Sequence, residues 1–113
     1  MRRVVRHADC AVARFEGALA RAAAQAGAPL AIESHRATAW QSATFDGHRH
    51  ALEACAPSSP ALDSWLARIG SAELALRGSR VAELRVASAA SDDGVTRVRI
   101  EGVTVSTADA AAA

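Results

Sequence analysis

The sequence predicts an α+β fold, a two-layer sandwich in which two helices cover one face of an antiparallel sheet of about five strands. Two stretches carry apolar residues at helical spacing and end on a glycine. The stretches that follow them alternate apolar and polar residues instead. Short turn sequences, not helices, join the alternating stretches, so the strands should pair as hairpins. The expected order is α-β-β-α-β-β-β in a single domain spanning 1–113, with 1–4 and 106–113 frayed.

The first helix follows from Val5, Val12, Leu19 and Ala26, with Ala8, Phe15 and Ala22 filling the turns between them. Asp9 can cap a shorter helix starting at Cys10. Gly27 suits the left-handed position after the last turn, and Pro29 forbids continuation. Gly17 lies inside the helix at a cost of about 1 kcal/mol relative to alanine, which suggests close approach of another backbone.

From Leu30 the pattern turns extended. Leu30 and Ile32 alternate with Ala31, Glu33 and His35, and a bulge near Arg36 to Ala39 is expected to change the parity further along. Asp46-Gly47 reads as a type I′ turn, which sets Phe45 opposite His48 and Ala43 opposite His50. The face carrying His48, His50 and Leu52 then turns inward. Trp40, Arg49 and Glu53 lie on the other face.

Ser58 or Ser59 followed by Pro60 starts the second helix, with Leu62, Trp65, Leu66 and Ile69 as its stripe and Gly70 as its stop. A second hairpin with a loop at Gly78-Ser79-Arg80 pairs Leu74 with Leu84. Ser91 to Gly94 forms the next turn. The last strand buries Val98 and Ile100, and Gly102 is read as a bulge turning Val103 and Val105 inward. Both halves therefore run helix, glycine stop, hairpin, though they share no alignable motif.

Composition narrows the function. Net charge is +1, and acids are interleaved with the thirteen basic residues, all of them arginine, so nucleic acid is not an expected partner. Lys, Asn and Tyr are absent, the signature of codon usage in a high-GC bacterial genome. No apolar run approaches the ~20 residues of a membrane span. Cys10 and Cys55 match no metal or redox spacing and read as free thiols in a reducing cytoplasm.

The chemistry gathers around WQSATFDGHRH, residues 40–50. His48 and His50 share a strand face about 7 Å apart. They are candidate metal ligands with a third from Asp46, Glu33 or His35; otherwise His50 is structural and His48 solvated. Glu33 and His35 are expected on one face as a proton-transfer couple. The candidate binding residues are thus Trp40, Arg49, His48, His50, Glu33 and His35. No cofactor motif and no nucleophile motif occurs. The leading expectation is a non-enzymatic cytoplasmic binding or oligomerising module, a homodimer or a protein partner's mate, that works through its exposed sheet face or edge around Trp40 and Arg49. The alternative is a metal-dependent enzyme centred on His48 and His50.

Overall fold

The computed structural model describes residues 7–107. Helix α1 (His7–Gln25) leads into strands β1 (Ala31–Gln41) and β2 (Asp46–Pro57). Helix α2 (Pro60–Ala67) and a 3₁₀ turn (Ile69–Ser71) precede β3 (Ser79–Asp92) and β4 (Val95–Ser106). The strands form one antiparallel sheet in the order β1-β2-β4-β3. The predicted class holds, with four strands rather than five. Arg2, Arg3, Arg6 and the alanine-rich tail from residue 108 lie outside the described residues, whereas β4 runs through Ser106.

Both helices press on the same sheet face. Phe15, Leu19 and Ala23 of α1 and Trp65 of α2 meet Leu52, Ala54, Leu84, Val98 and Ile100 from the strands in one buried cluster. Gly27 takes φ +82 after α1, as its position predicts. The helix begins at His7, so Asp9 falls within it and no shorter helix starts at Cys10. At Gly17 an added Cβ would meet, among the described residues, only the Arg21 side chain and no neighbouring backbone. Ser59 caps α2 by accepting a hydrogen bond from the Leu62 N–H at 3.0 Å. That helix ends at Arg68, and the 3₁₀ turn carries the chain past Gly70, which is not its stop.

Three register differences matter for function. The bulge in β1 falls at Glu33, between Ile32 and Ser34, earlier than expected. The β1–β2 connection is a four-residue loop, Ser42 to Phe45. It is closed by Ser42 N–H donating to the Phe45 carbonyl at 2.7 Å and Phe45 N–H donating to Ser42 Oγ at 3.1 Å. Asp46 and Gly47 therefore belong to β2, opposite Gln41 and Trp40. Positive φ occurs not at Gly47 but at Asp93 and Gly94, which make the β3–β4 turn. Gly47 instead meets the neighbouring backbone, because a Cβ there would stand 1.8 Å from the Thr104 carbonyl oxygen. Phe45, moved into the loop, is 56% exposed.

Ala72, Leu74 and Leu76 alternate inward as predicted, yet their segment joins no strand. It crosses the core edge and packs Ala72 and Leu74 against the buried cluster. Period-two burial needs only an extended chain on an apolar surface, not a ladder partner. Leu84 consequently pairs with Gly102 and not with Leu74, and Val81 faces the core rather than the outer surface.

Gly102 is in register on both sides and is not a bulge. A Cβ on it would lie 2.9 Å from the Phe15 ring, so its bareness makes room for that ring. Thr104, not Val103 or Val105, takes the next buried place. Since Leu84 is 5% exposed and Glu83 faces solvent, Leu84→Ala should cost ~2–5 kcal/mol in denaturant unfolding, and Glu83→Ala under ~1. The reverse ranking would place β3 one residue out of register.

Candidate functional site

The inner sheet face changes character at the end nearest α1. There His35, His50 and Thr104 replace aliphatic side chains, and strand geometry explains their meeting. The bulge at Glu33 sends Glu33 outward to Arg97, at 2.8 Å, and turns His35 inward. Glu33 and His35 thus occupy opposite faces, contrary to the expected couple. His35 takes its carboxylate from α1 instead: its Nδ1 lies 3.0 Å from Glu16 Oε2. The His35 side chain is 2% exposed and that of Glu16 35%, so the carboxylate links a buried imidazole to solvent.

The contacts continue inward. His35 Nε2 lies 2.9 Å from His50 Nδ1, and His50 Nε2 lies 3.1 Å from Thr104 Oγ1. Thr104 Oγ1 is in turn 3.3 Å from the His48 carbonyl oxygen. Phe15 stacks on the His50 ring with centroids 4.1 Å apart and planes within 6°. With both imidazoles neutral, one arrangement satisfies every member. His35 Nδ1–H donates to Glu16, His50 Nδ1–H donates to His35 Nε2, and Thr104 O–H donates to His50 Nε2.

Burial dominates the electrostatics. It pushes the His50 pKa down to about 4, helped by repulsion from His35 and His48 in their charged forms. His35 is also lowered by burial, against the opposing pull of its hydrogen bond and charge interaction with Glu16. His48, expected in solvent, is buried, its ring centroid 6.1 Å from that of His50.

A cavity of about 80 Å³ opens beside this chain. Its polar lining comes from Arg14, Arg77, His48, His50, Ser79, Thr104 and Ser106. Ala11, Phe15 and Leu76 supply the apolar wall. One water needs roughly 10–15 Å³ by this measure, so the space holds several waters or one small polar group. At the rim Arg14 Nη1 reaches the Arg77 carbonyl at 3.5 Å, and Ser106 Oγ donates to Asp46 Oδ2 at 3.1 Å.

The remaining candidates lie elsewhere. Arg49 is exposed on the outer face, and Trp40 is half-buried there, opposite Gly47. That face is laced with ion pairs, Arg97 to Glu33, Arg99 to Glu53 at 3.1 Å, and Arg85 to Glu101. Asp46 faces Ser106 and not the imidazoles. His35 and His50 turn nitrogen to nitrogen as donor and acceptor, which uses the lone pair a metal would need. Among the described residues no three His, Cys, Asp or Glu side chains converge as metal ligands.

Glu16, Thr104, Arg14 and Arg77 went unmarked in the sequence. A lone Glu beside Phe15 on a predicted helix looks like a boundary residue, and nothing short of the register brings Thr104 to His50. Comparison with protein-family models, curated proteins and solved structures finds no match to this chain.

The depressed imidazoles set a pH dependence. The unfolded chain protonates His50 near 6.5 and the folded chain near 4, so the unfolded state binds more protons in between. Stability is fully present above about pH 6.5 and should fall by up to about 3 kcal/mol as pH drops toward 4. Denaturant unfolding across that range checks it, and His50→Gln should flatten the slope.

Proposed function

We propose that the protein is a binding module for a small oxyanion, a carboxylate by preference, held in the cavity beside His50. The observation that carries this reading is the lining itself. Arg14 and Arg77, the imidazole residues His48 and His50 and the hydroxyl residues Ser79, Thr104 and Ser106 line one space, and among the described residues no carboxylate lies in its wall, Asp46 at the rim being engaged by Ser106. A lining rich in cationic and neutral donors suits an anion, and an arginine fork suits a carboxylate. The apolar wall and small volume favour a short monocarboxylate over a nucleotide or sugar. In this reading His50 is oriented by its neighbours as a hydrogen-bonding contact and no bond of the ligand is broken. The free thiols of Cys10 and Cys55 suit a reducing compartment, the bacterial cytoplasm. No helix among the described residues is long and apolar enough to cross a membrane.

Titration calorimetry with acetate checks the reading, with neutral acetamide as the isosteric control. Acetate should bind and acetamide should not. Arg14→Ala or Arg77→Ala should each weaken acetate about tenfold or more, the loss of one charge-assisted hydrogen bond. Equal binding of acetate and acetamide would remove the anion site.

A second reading, association of two copies through the outer sheet face, is favoured by Trp40. Its indole Nε1 is shielded from solvent and has no hydrogen-bond partner among the described residues, and the ring lies on the face that the helices leave open. An unmet donor on an interface tryptophan can be satisfied across a dimer axis. Sedimentation at micromolar concentration should then show a dimer that Trp40→Glu converts to folded monomer. A monomeric wild type at that concentration would leave the outer face as a solvated ion-pair lattice.

A further inference from the structure

The four-member chain at the cavity has a second arrangement in which the His35–His50 and His50–Thr104 bonds are reversed. Adding one proton to the Glu16–His35 pair obliges His35 Nε2–H to donate to His50 Nδ1. His50 then carries its proton on Nε2 and donates to Thr104 Oγ1. Thr104 O–H, released from His50, turns to the His48 carbonyl 3.3 Å away or to whatever occupies the cavity. The outcome at Thr104 is the same whether the added proton sits on the Glu16 carboxylate or on the His35 imidazole, because both leave His35 Nε2 as a donor. No imidazole at the cavity end need become charged. Every link is between 2.9 and 3.1 Å, and the outer end, Glu16, is partly exposed at the molecular surface.

We propose that an oxyanion entering the cavity takes up one proton with it, held on the Glu16–His35 pair and relayed through His50 to free the Thr104 hydroxyl as a donor to the ligand. The coupling rests on the anion-site reading. It adds that Glu16, which does not line the cavity, sets what the cavity offers. The groups that bear on the chain support the direction of coupling. From α1 come Glu16 and, at the cavity, Arg14; from β1, His35; from β2, His48, His50 and, at the rim on Ser106, Asp46; from the segment before β3, Arg77. Glu16 is the one anion in direct contact with the chain among the described residues, and the basic groups outnumber it. An extra proton is therefore opposed while the cavity holds only water. A carboxylate in the cavity supplies the missing negative charge and a hydrogen-bond acceptor for Thr104 together.

The test is acetate calorimetry on the full chain at pH 6 in two buffers of different ionisation enthalpy, with affinity followed from pH 8 to 6. A heat difference corresponding to uptake of most of one proton is expected, and affinity should rise as pH falls, by at most about tenfold per unit. In parallel, ¹⁵N NMR of the imidazoles should show His50 protonated on Nδ1 at pH 8 and on Nε2 when acetate is bound at pH 6. Glu16→Gln is uncharged and its amide can donate to His35 Nδ1 as a protonated carboxyl does, so it should fold, bind acetate at pH 8 at least as tightly as the wild type binds it at pH 6, take up no proton and lose most of the pH slope. Binding of acetate without proton uptake, or an unchanged slope in Glu16→Gln, overturns the coupling alone. Failure of acetate to bind at any of these pH values overturns the site and the coupling with it.

Discussion

His50 needs a hydrogen-bond partner on each ring nitrogen and a close-packed surface on its ring face, all within the interior of a small domain. An unmet buried nitrogen would cost about 1–3 kcal/mol. The fold meets the requirement from three directions. β1 brings His35 to one nitrogen, β4 brings Thr104 to the other, and α1 lays Phe15 on the ring. Each supply imposes a further demand. Phe15 reaches the ring because Gly102 has no side chain, and Thr104 arrives where β4 passes hard against Gly47. His35 turns inward because of the bulge at Glu33. Two glycines, one bulge and the seating of α1 thus follow from a single buried imidazole.

Those dependencies explain what the sequence disclosed and what it hid. Patterns internal to one segment were legible. The stripe around Phe15 and Leu19, the Ser59 cap, the inward set His48, His50 and Leu52, and the outward Arg97 and Arg99 all follow from period and local chemistry. Features set by packing between segments were not. Asp46-Gly47 has the composition of a turn, but close passage of β4 draws it into the ladder, and the tight Asp-Gly turn forms at Asp93-Gly94 instead. One displaced bulge then decided the partners of Glu33 and His35. Glu16 reaches His35 across 19 positions of sequence, a separation at which no local rule acts.

The two sheet faces use their polar residues in opposite ways. Outside, Arg85, Arg97 and Arg99 pair with carboxylates, and every partner is more than a third exposed. Such pairs contribute little each and weaken with salt. They keep a flat face wet, with Trp40, Val95, Val103 and Val105 as nonpolar features among them. Inside, four polar groups replace what could have been aliphatic packing, and two of them hold depressed affinity for protons. Replacing a buried polar cluster by apolar residues is often neutral or stabilising. A domain with so few aromatic residues would gain from a larger core. The imidazole chain is therefore hard to account for by stability alone, and that is what the proposed anion site at the bordering cavity would explain.

The topology sharpens that point, because it offers the same place twice. An α-β-β unit is followed by a second one, and β2 and β4 pair at the centre of the sheet. Along that seam His48 faces Thr104, His50 faces Gly102, Leu52 faces Ile100, Ala54 faces Val98 and Ala56 faces Thr96. The seam is polar at both ends, but the ends are built differently. At the α2 end Thr96 is closed off by Ser58 and Ser91 hydroxyls at 2.7 and 2.8 Å, and Leu62 and Trp65 complete an apolar cover. At the α1 end Phe15 and Glu16 are consecutive on the helix, so one covers the His50 ring while the other reaches the edge of His35. Only the second construction runs a hydrogen-bonded chain from a partly exposed carboxylate, Glu16, to the cavity-lining His50 and Thr104. The asymmetry between two similar units lies in what each helix carries over the seam, and it assigns the chemistry to the first.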